Sequence, residues 1–600
     1  MVQVVFPPLL PCSYLIIPSR NQDNRQDANA PRSAILSNLM NWITHFEESD
    51  GLATPAYQDS IDFIERIAAT TRFAKISTFG KTPQGRDMKC VVLGKIHTPR
   101  EARKRNKAVV MIQNAIHGGE MEGKDAWMLL LREILITKEL EHLLKHLVIV
   151  LVPVFNVDGH ERRDQHNRPN QIGPVEQGWR TTAQNLDLNR DYMKADAPEM
   201  KSLLALYHYW LPDFYIDNHC TDGADFQYRI LYCLETHQHI HPALAEWAQD
   251  RFMPAILREL ENQGIPTAPY NEGNNLSDGI TNQPANPRLS VGYSAVQNRF
   301  CLLVEAHSLK PYADRVFTTK AMNHTVLDYL NRNSKELLER NRIADEDTIQ
   351  EYCHRKTPFP IVVSLKKEPE PFLFKGIASY EEESAITGNS VTRYTGEPLE
   401  IEIPLYRRGE VTETVIVPAG YSIPVEYAHI AEHLQMHGVR VERIKSSISV
   451  EAERYRFKNV SFAPQPYESR IRAHFQTETF REQILLTEST IFVPAAQRAL
   501  RVILHLLEPS GPDSLVRWGF FLSIFERKEY AEPYILEPIA QKMLQEDPAL
   551  KEEFYERLER DEHFRKNPEK RLDFFYQRSV YFDRKENVYP VARLLELPYV

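Results

Sequence analysis

Six cysteines in 600 residues are too sparse to staple a disulfide scaffold. None of Cys12, Cys90, Cys220, Cys233, Cys301 and Cys353 stands in a C-x-x-C pair, which excludes a cysteine zinc site and a thioredoxin-type motif. The thiols read as small, mostly buried apolar side chains. No apolar run reaches the roughly 18 residues of a membrane-spanning helix, so no integral membrane segment is expected. Positive charge is not in excess: 72 Lys and Arg against 82 Asp and Glu give a net charge of −10. Such a chain is not built for broad nucleic-acid or anionic-membrane binding. There is no internal repeat of solenoid period. The apolar stretch Val2 to Pro18 lacks a basic residue before it and carries Pro7, Pro8 and Pro11, so it departs from a normal signal peptide.

What is present is ordinary globular composition, 42% hydrophobic and 26% charged. Residues 19–33 are polar and read as a linker. From Ala34 to about residue 340, apolar strand-like runs alternate with helix-like segments. Ala108 to Gln113, Leu147 to Val154, Phe214 to Asp217 and Phe300 to Val304 are the strand candidates. Glu122 to His146, Lys201 to Trp210 and His241 to Gln263 carry helical spacing. Continuous apolar strands between helices imply α/β architecture with a sheet covered on both faces. Residues 345–475 read as β-rich, with one helix near Ala428 to His437. Residues 476–600 read as mainly helical, with apolar helices expected at Pro494 to Leu507 and Ser514 to Phe525.

Four short motifs carry candidate chemistry. His117-Gly118-Gly119-Glu120 follows a strand and precedes a long helix. An imidazole and a carboxylate at that spacing can face one metal ion, and catalytic zinc sites use three protein ligands. Asp217-Asn218-His219 puts a histidine just past the expected end of a strand, where open α/β sheets bind ligands. Glu305 closes the apolar run Phe300 to Val304, and a carboxylate there is costly to bury without a partner or a task. Trp179-Arg180 and Asn185-Leu186-Asp187-Leu188-Asn189-Arg190-Asp191 offer guanidinium groups suited to a carboxylate or an oxyanion. Each motif alone also fits an ion pair or a structural histidine.

Their order, with Asn156-x-Asp158-Gly159 between the first and the rest, resembles the zinc carboxypeptidase family of the carboxypeptidase A type. Ser77 to Arg86 adds the family's G-x-S-x-x-G-R segment with Thr82 in the serine position. The resemblance covers about residues 55–340. It implies a mixed sheet of about eight strands and a catalytic domain at 34–344, preceded by a tail or degenerate signal at 1–33. It implies one zinc ion held by His117, Glu120 and His219, with Asp187 orienting the first histidine. Glu305 would be the general base for zinc-activated water, and Arg180 would steady the oxyanion. Asn189 and Arg190 would grip the free C-terminal carboxylate of a peptide substrate. The family's mobile tyrosine has no counterpart at its usual place, and Tyr293 is the nearest candidate for that substrate-binding role. Arg288 and Arg299 are candidates for favouring an acidic side chain.

The segment from about 345 to 600 resembles extensions of a bacterial subgroup, on Pro418-Ala419-Gly420-Tyr421 and Asp513 to Phe521. It implies no activity of its own, and contact with a protein or polymer is the expectation there. The family leans towards a periplasmic or secreted setting, while the N-terminus also fits a cytoplasmic one. The competing readings are a zinc amidohydrolase acting on N-acyl amino acids or cell-wall peptides, and a catalytically silent peptide-binding homologue.

Overall fold

The computed structural model of the chain describes residues 42–221, 223–271 and 278–598. The expected tail or signal at 1–33 and Cys12 lie outside the described residues. Among the described residues nine strands build the first half: β1 Ala74–Lys81, β2 Asp87–Leu93, β3 Ala108–Asn114, β4 Leu147–Val152, β5 Phe214–Thr221, β6 Ile230–Cys233, β7 Thr267–Pro269, β8 Ile280–Thr281 and β9 Phe300–His307. All but β8 form one sheet in the order β1-β2-β4-β3-β5-β9-β6-β7. The centre, β4-β3-β5-β9, is parallel, and antiparallel pairings flank it. Every residue of β3, β4, β5 and β9 is buried. Side chains alternate between faces along a strand, so both faces are covered. The mixed eight-stranded sheet is as the family resemblance implies.

Two of those strands run further than their apolar residues do. The polar stretch Asn218 to Thr221 stays in β5 because it keeps its ladder with β9, up to Thr221 beside His307. His219 and Glu305 therefore lie inside strands, directly opposite each other. The Ser77–Arg86 segment closes on the Asn156–Gly159 segment. Thr82 Oγ1 and Arg86 Nη1 donate to Asp158 Oδ1 at 2.8 and 2.6 Å.

The second half adds β10 Phe359–Leu365, β11 Glu370–Glu383, β12 Ser390–Tyr406, β13 Gly409–Val415, β14 Gly420–Ile423, β15 Glu442–Arg443, β16 Ile448–Phe462, β17 Ala473–Leu486, β18 Ile491–Pro494 and β19 Ala592–Leu594. A six-stranded sheet runs β15-β18-β14-β19-β16-β17. The hairpin β11-β12 lies against the first half, where β12 pairs with β8. A helix spans Ala428–Met436, and others span Leu500–Leu507, Pro533–Glu546, Pro548–Arg560 and Pro568–Tyr576. Ser514 to Phe525 is not the expected helix. It is a series of turns ending in a 3-10 turn at Leu522–Phe525, with Gly519 at φ 77° breaking the helical path. Pro494 to Leu507 is helical only from Leu500, because Ile491–Pro494 is spent pairing with β14. One buried apolar cluster runs from Tyr57 to Val591 and joins both halves. Among the described residues no helix is long and apolar enough to cross a membrane.

A histidine cluster seals part of this junction. His433 Nε2 donates to the Met193 carbonyl at 2.8 Å and lies 3.2 Å from His437 Nε2. His437 Nδ1 and His208 Nε2 meet the Tyr293 hydroxyl at 3.1 and 2.8 Å. Burial, helped by Arg498, lowers His208 from 6.5 to about 3. Burial lowers His433 to about 4 against the opposing Met193 hydrogen bond. Unfolded imidazoles titrate near 6.5, so as pH falls below that value the unfolded chain takes up protons that the folded chain refuses. The contribution of these histidines to stability is therefore expected to drop between about pH 6.5 and 4, lowering the calorimetric melting temperature at about pH 4.5 relative to a chain without them. His208→Gln, which cannot take up that proton, should flatten part of the drop; an unaltered slope would count against the histidine as its source.

Candidate metal centre and catalytic site

The loop after β3 brings His117 and Glu120 to the carboxyl end of the sheet. Its two glycines are required by close backbone approach. A Cβ on Gly118 would lie 2.3 Å from the Gly159 carbonyl carbon, and one on Gly119 would lie 2.5 Å from the Gly178 oxygen. The loop is thereby pressed onto the Asn156–Gly159 and Gly178–Arg180 segments. His219 arrives from β5.

His117 Nδ1 lies 2.9 Å from Glu120 Oε1, and His219 Nδ1 lies 3.0 Å from Glu120 Oε2. One ligand atom from each of the three residues falls within 4.8 Å of the others, and all three side chains are buried. The opposite edge of each ring meets a carboxylate. His117 Nε2 is 3.1 Å from Asp187 Oδ1, and His219 Nε2 is 2.9 Å from Asp217 Oδ2. The hydrogen bond to Asp187 fixes the His117 tautomer that leaves its Nδ1 lone pair for a cation and makes the ring a stronger donor, while Asp217 sets a negative charge beside His219. Two such imidazoles and a carboxylate are a donor set suited to zinc, with room for a further ligand. The residues present therefore fit a zinc ion.

The electrostatics are those of a cation site. Burial pushes Glu120 up, but His117, Arg168 and the hydrogen bonds from His117 and His219 outweigh it and hold its carboxyl well below the usual range. Burial pushes His219 down, and Asp217 and Glu120 outweigh it, raising it well above 6.5. A proton on His219 Nδ1 is what a cation displaces on binding. Glu305 sits beside His219 across the β5-β9 ladder. Burial, with Glu120 and Asp217, outweighs the two imidazoles there and raises Glu305 from 4.5 to about 7.

Arg180 donates through Nε and Nη2 to Asp187 Oδ2 at 3.1 and 2.9 Å, and its Nη1 is 3.9 Å from Glu120 Oε1. Its side chain is 40% exposed, so the guanidinium is open to solvent. Asp187 caps the turn Leu188–Arg190 by accepting from Asn189 N. Burial raises the Asp187 carboxyl, but His117 and Arg180 outweigh it and lower it strongly. Asn189 Oδ1 accepts from Ser290 N at 2.9 Å, and Arg190 Nη1 donates to the Asn189 carbonyl at 2.8 Å.

Tyr293 does not join this group. It is fully buried, its ring lies 5.4 Å from Tyr192, and His208, His437 and Gln297 engage its hydroxyl. A hydroxyl so engaged has nothing to offer a substrate, so the expected substrate-binding role does not follow from its position. Arg299 is buried and holds Asp345 through both Nη atoms, which leaves it unavailable to a substrate, and Arg288 Nη1 is turned to Asp513.

Two contributors escaped the sequence reading. Asp217 lies two positions before His219 on one strand face, a spacing legible had β5 been extended through His219. Arg168 Nη2 donates to Glu120 Oε1 at 2.8 Å from an irregular loop, and no spacing rule announces it.

Residues 61–209 match the Peptidase M14 family of zinc carboxypeptidases. That stretch contains His117, Glu120, Arg180, Asp187, Asn189 and Arg190 and ends before His219 and Glu305. Carboxypeptidase 2 of Trichophyton rubrum is 22% identical over 490 residues, covering 78% of this chain and 85% of that protein. Carboxypeptidase 2 of Trichophyton equinum is 21% identical over 489 residues, with the same coverage of 78% and 85%. Among solved structures, a metallo-carboxypeptidase of Pseudomonas aeruginosa in complex with (2-guanidinoethylmercapto)succinic acid is 18% identical, with a TM-score of 0.36 over 47% of this chain and 70% of that one.

Proposed function

We propose that this chain, of which residues 61–209 match the zinc carboxypeptidase family, is a metallocarboxypeptidase that removes C-terminal residues from peptides with a free carboxylate. The observation that carries the reading is the meeting of His117, Glu120 and His219 ligand atoms with Glu305 directly across the ladder from His219. The described residues hold one such cluster, which supports a single ion. When bound there, zinc would supply Lewis acidity, polarising the scissile carbonyl and making water more acidic.

The rest is done by the chain. Glu305, raised towards neutrality by burial, is poised to accept a proton from water and to give it to the departing amine. Arg180, held by Asp187 but open to solvent, offers a guanidinium to the developing oxyanion. Asp187 does a second task by fixing the His117 ring. Asn189 and Arg190, on the turn that Asp187 caps, are the groups for the substrate's terminal carboxylate. Recognition of a free carboxylate is what makes the cleavage terminal.

A panel of peptides with free and amidated C-termini, alongside N-acyl amino acids, tests the proposal. The expected result is stepwise release of single residues from free-ended peptides, with amidated peptides cleaved at least about tenfold more slowly for want of the Arg190 ion pair. Hydrolysis of N-acyl amino acids alone would favour the amidohydrolase reading, and inertness on the whole panel would favour a silent binder.

A further inference from the structure

The tip of the β16-β17 hairpin, which belongs to the second half of the chain, reaches the turn that carries the proposed substrate-gripping residues. Glu468 Oε2 accepts a hydrogen bond from the backbone N–H of Asp187 at 2.9 Å. The tip is a tight turn: Tyr467 and Arg470 exchange both backbone hydrogen bonds, at 2.9 and 3.1 Å. Its two central residues, Glu468 and Ser469, have φ of 50° and 65°. That left-handed region disfavours non-glycine residues and persists where surrounding contacts over-determine it.

The contacts that do so reach both halves, with Asp196 in the first and Phe520 and Trp518 in the second. Arg470 forms a two-pronged pair with Asp196 at 2.6 and 2.7 Å. Its guanidinium also lies 3.7 Å from the centre of the Phe520 ring. Tyr467 stacks on Trp518 at 5.9 Å. Glu468 is thus aimed, on a braced tip, at the first residue of the Asp187–Arg190 turn.

We infer that Glu468 is a positioning residue for substrate binding: it fixes the backbone of the turn from which Asp187, Asn189 and Arg190 act. The second half of the chain then completes the grip on the substrate carboxylate. This inference rests on the reading of Asn189 and Arg190 as that grip. Arg190 N donates to the Asp187 carbonyl at 3.0 Å, so a displaced Asp187 backbone shifts the Arg190 guanidinium with it. Small displacements of a charge-assisted contact weaken it steeply.

The test compares wild type, Glu468→Ala and Glu468→Gln on one free-ended peptide, with amide hydrogen exchange at Asp187 followed in parallel. Losing a charged acceptor at a half-buried site should raise KM about tenfold, with kcat changed by less than about threefold. The Gln variant keeps an acceptor oxygen and should restore KM most of the way. The Asp187 amide should exchange faster in the Ala variant and near the wild-type rate in the Gln variant. Unchanged KM and unchanged exchange would overturn the inference. So would a fall in kcat at constant KM with Asp187 exchange at the wild-type rate, which marks a loss of active protein rather than of positioning. If wild type cleaves no peptide, the carboxypeptidase reading itself fails. The exchange measurement then decides alone whether Glu468 holds the Asp187 turn.

Discussion

Glu305→Gln is expected to lower kcat for peptide hydrolysis by about 10³- to 10⁴-fold while the protein keeps its zinc. Gln has the size and hydrogen-bonding edge of Glu but cannot accept the proton from water. The residue lies opposite His219 rather than in the ligand triangle, so the metal donors are untouched. Burial is the largest influence on Glu305 and already pushes its carboxyl to about 7. Replacing it with a neutral side chain relieves that penalty, so the variant should melt at or above the wild-type temperature. Activity lost with zinc and fold retained isolates proton transfer as the missing step. A variant that keeps more than about a tenth of the wild-type kcat would remove Glu305 from that role.

Glu120→Gln is expected to cost both metal and activity. Glu120 is the charged member of the triangle and lies between the two imidazoles and Arg168. Without its charge, a divalent cation would face two neutral rings and a guanidinium 2.8 Å from position 120. The loss of zinc affinity should exceed the ~10- to 100-fold that removal of an outer carboxylate partner costs. Gln offers one oxygen where the carboxylate serves Arg168 through Oε1 and Cys220 N through Oε2, so one donor loses its acceptor, a loss of about 1–3 kcal/mol that the fold should survive. Zinc titration with a competing chelator reads the affinity, and peptide release reads the activity. Full zinc affinity in this variant would show that the ion sits elsewhere.

Much of the site was legible because its parts are local in sequence. His117 and Glu120 are three apart on one loop, and Asp187, Asn189 and Arg190 share one turn. The sheet was legible because its central strands are apolar on both faces, which leaves no polar alternation to confuse them. The strand ends were not. Asn218 to Thr221 are polar or small, so the apolar run stops at Asp217, yet ladder bonds to β9 carry the strand on. That early stop hid the shared face of Asp217 and His219.

Contacts between distant segments left no trace in any local pattern. Arg168 meets Glu120 across 48 positions, and Glu468 meets Asp187 across 281. Tyr293 looked like a cleft residue because only its distance from Glu305 could be read. Its partners His208 and His437 lie on other segments and draw it into the core. The short strand Ala592–Leu594 was invisible for a related reason: three residues carry no period, and only the β14 and β16 edges make them a strand.

One zinc ion at His117, Glu120 and His219 is proposed to work with Glu305 in releasing C-terminal residues. Zinc per chain and amino-acid release, measured on wild type and Glu305→Gln prepared side by side, test it most directly. A single zinc in both proteins and residue release by the wild type alone are the expected result. Wild-type protein that binds no zinc, or a Glu305→Gln variant as active as wild type, would contradict it.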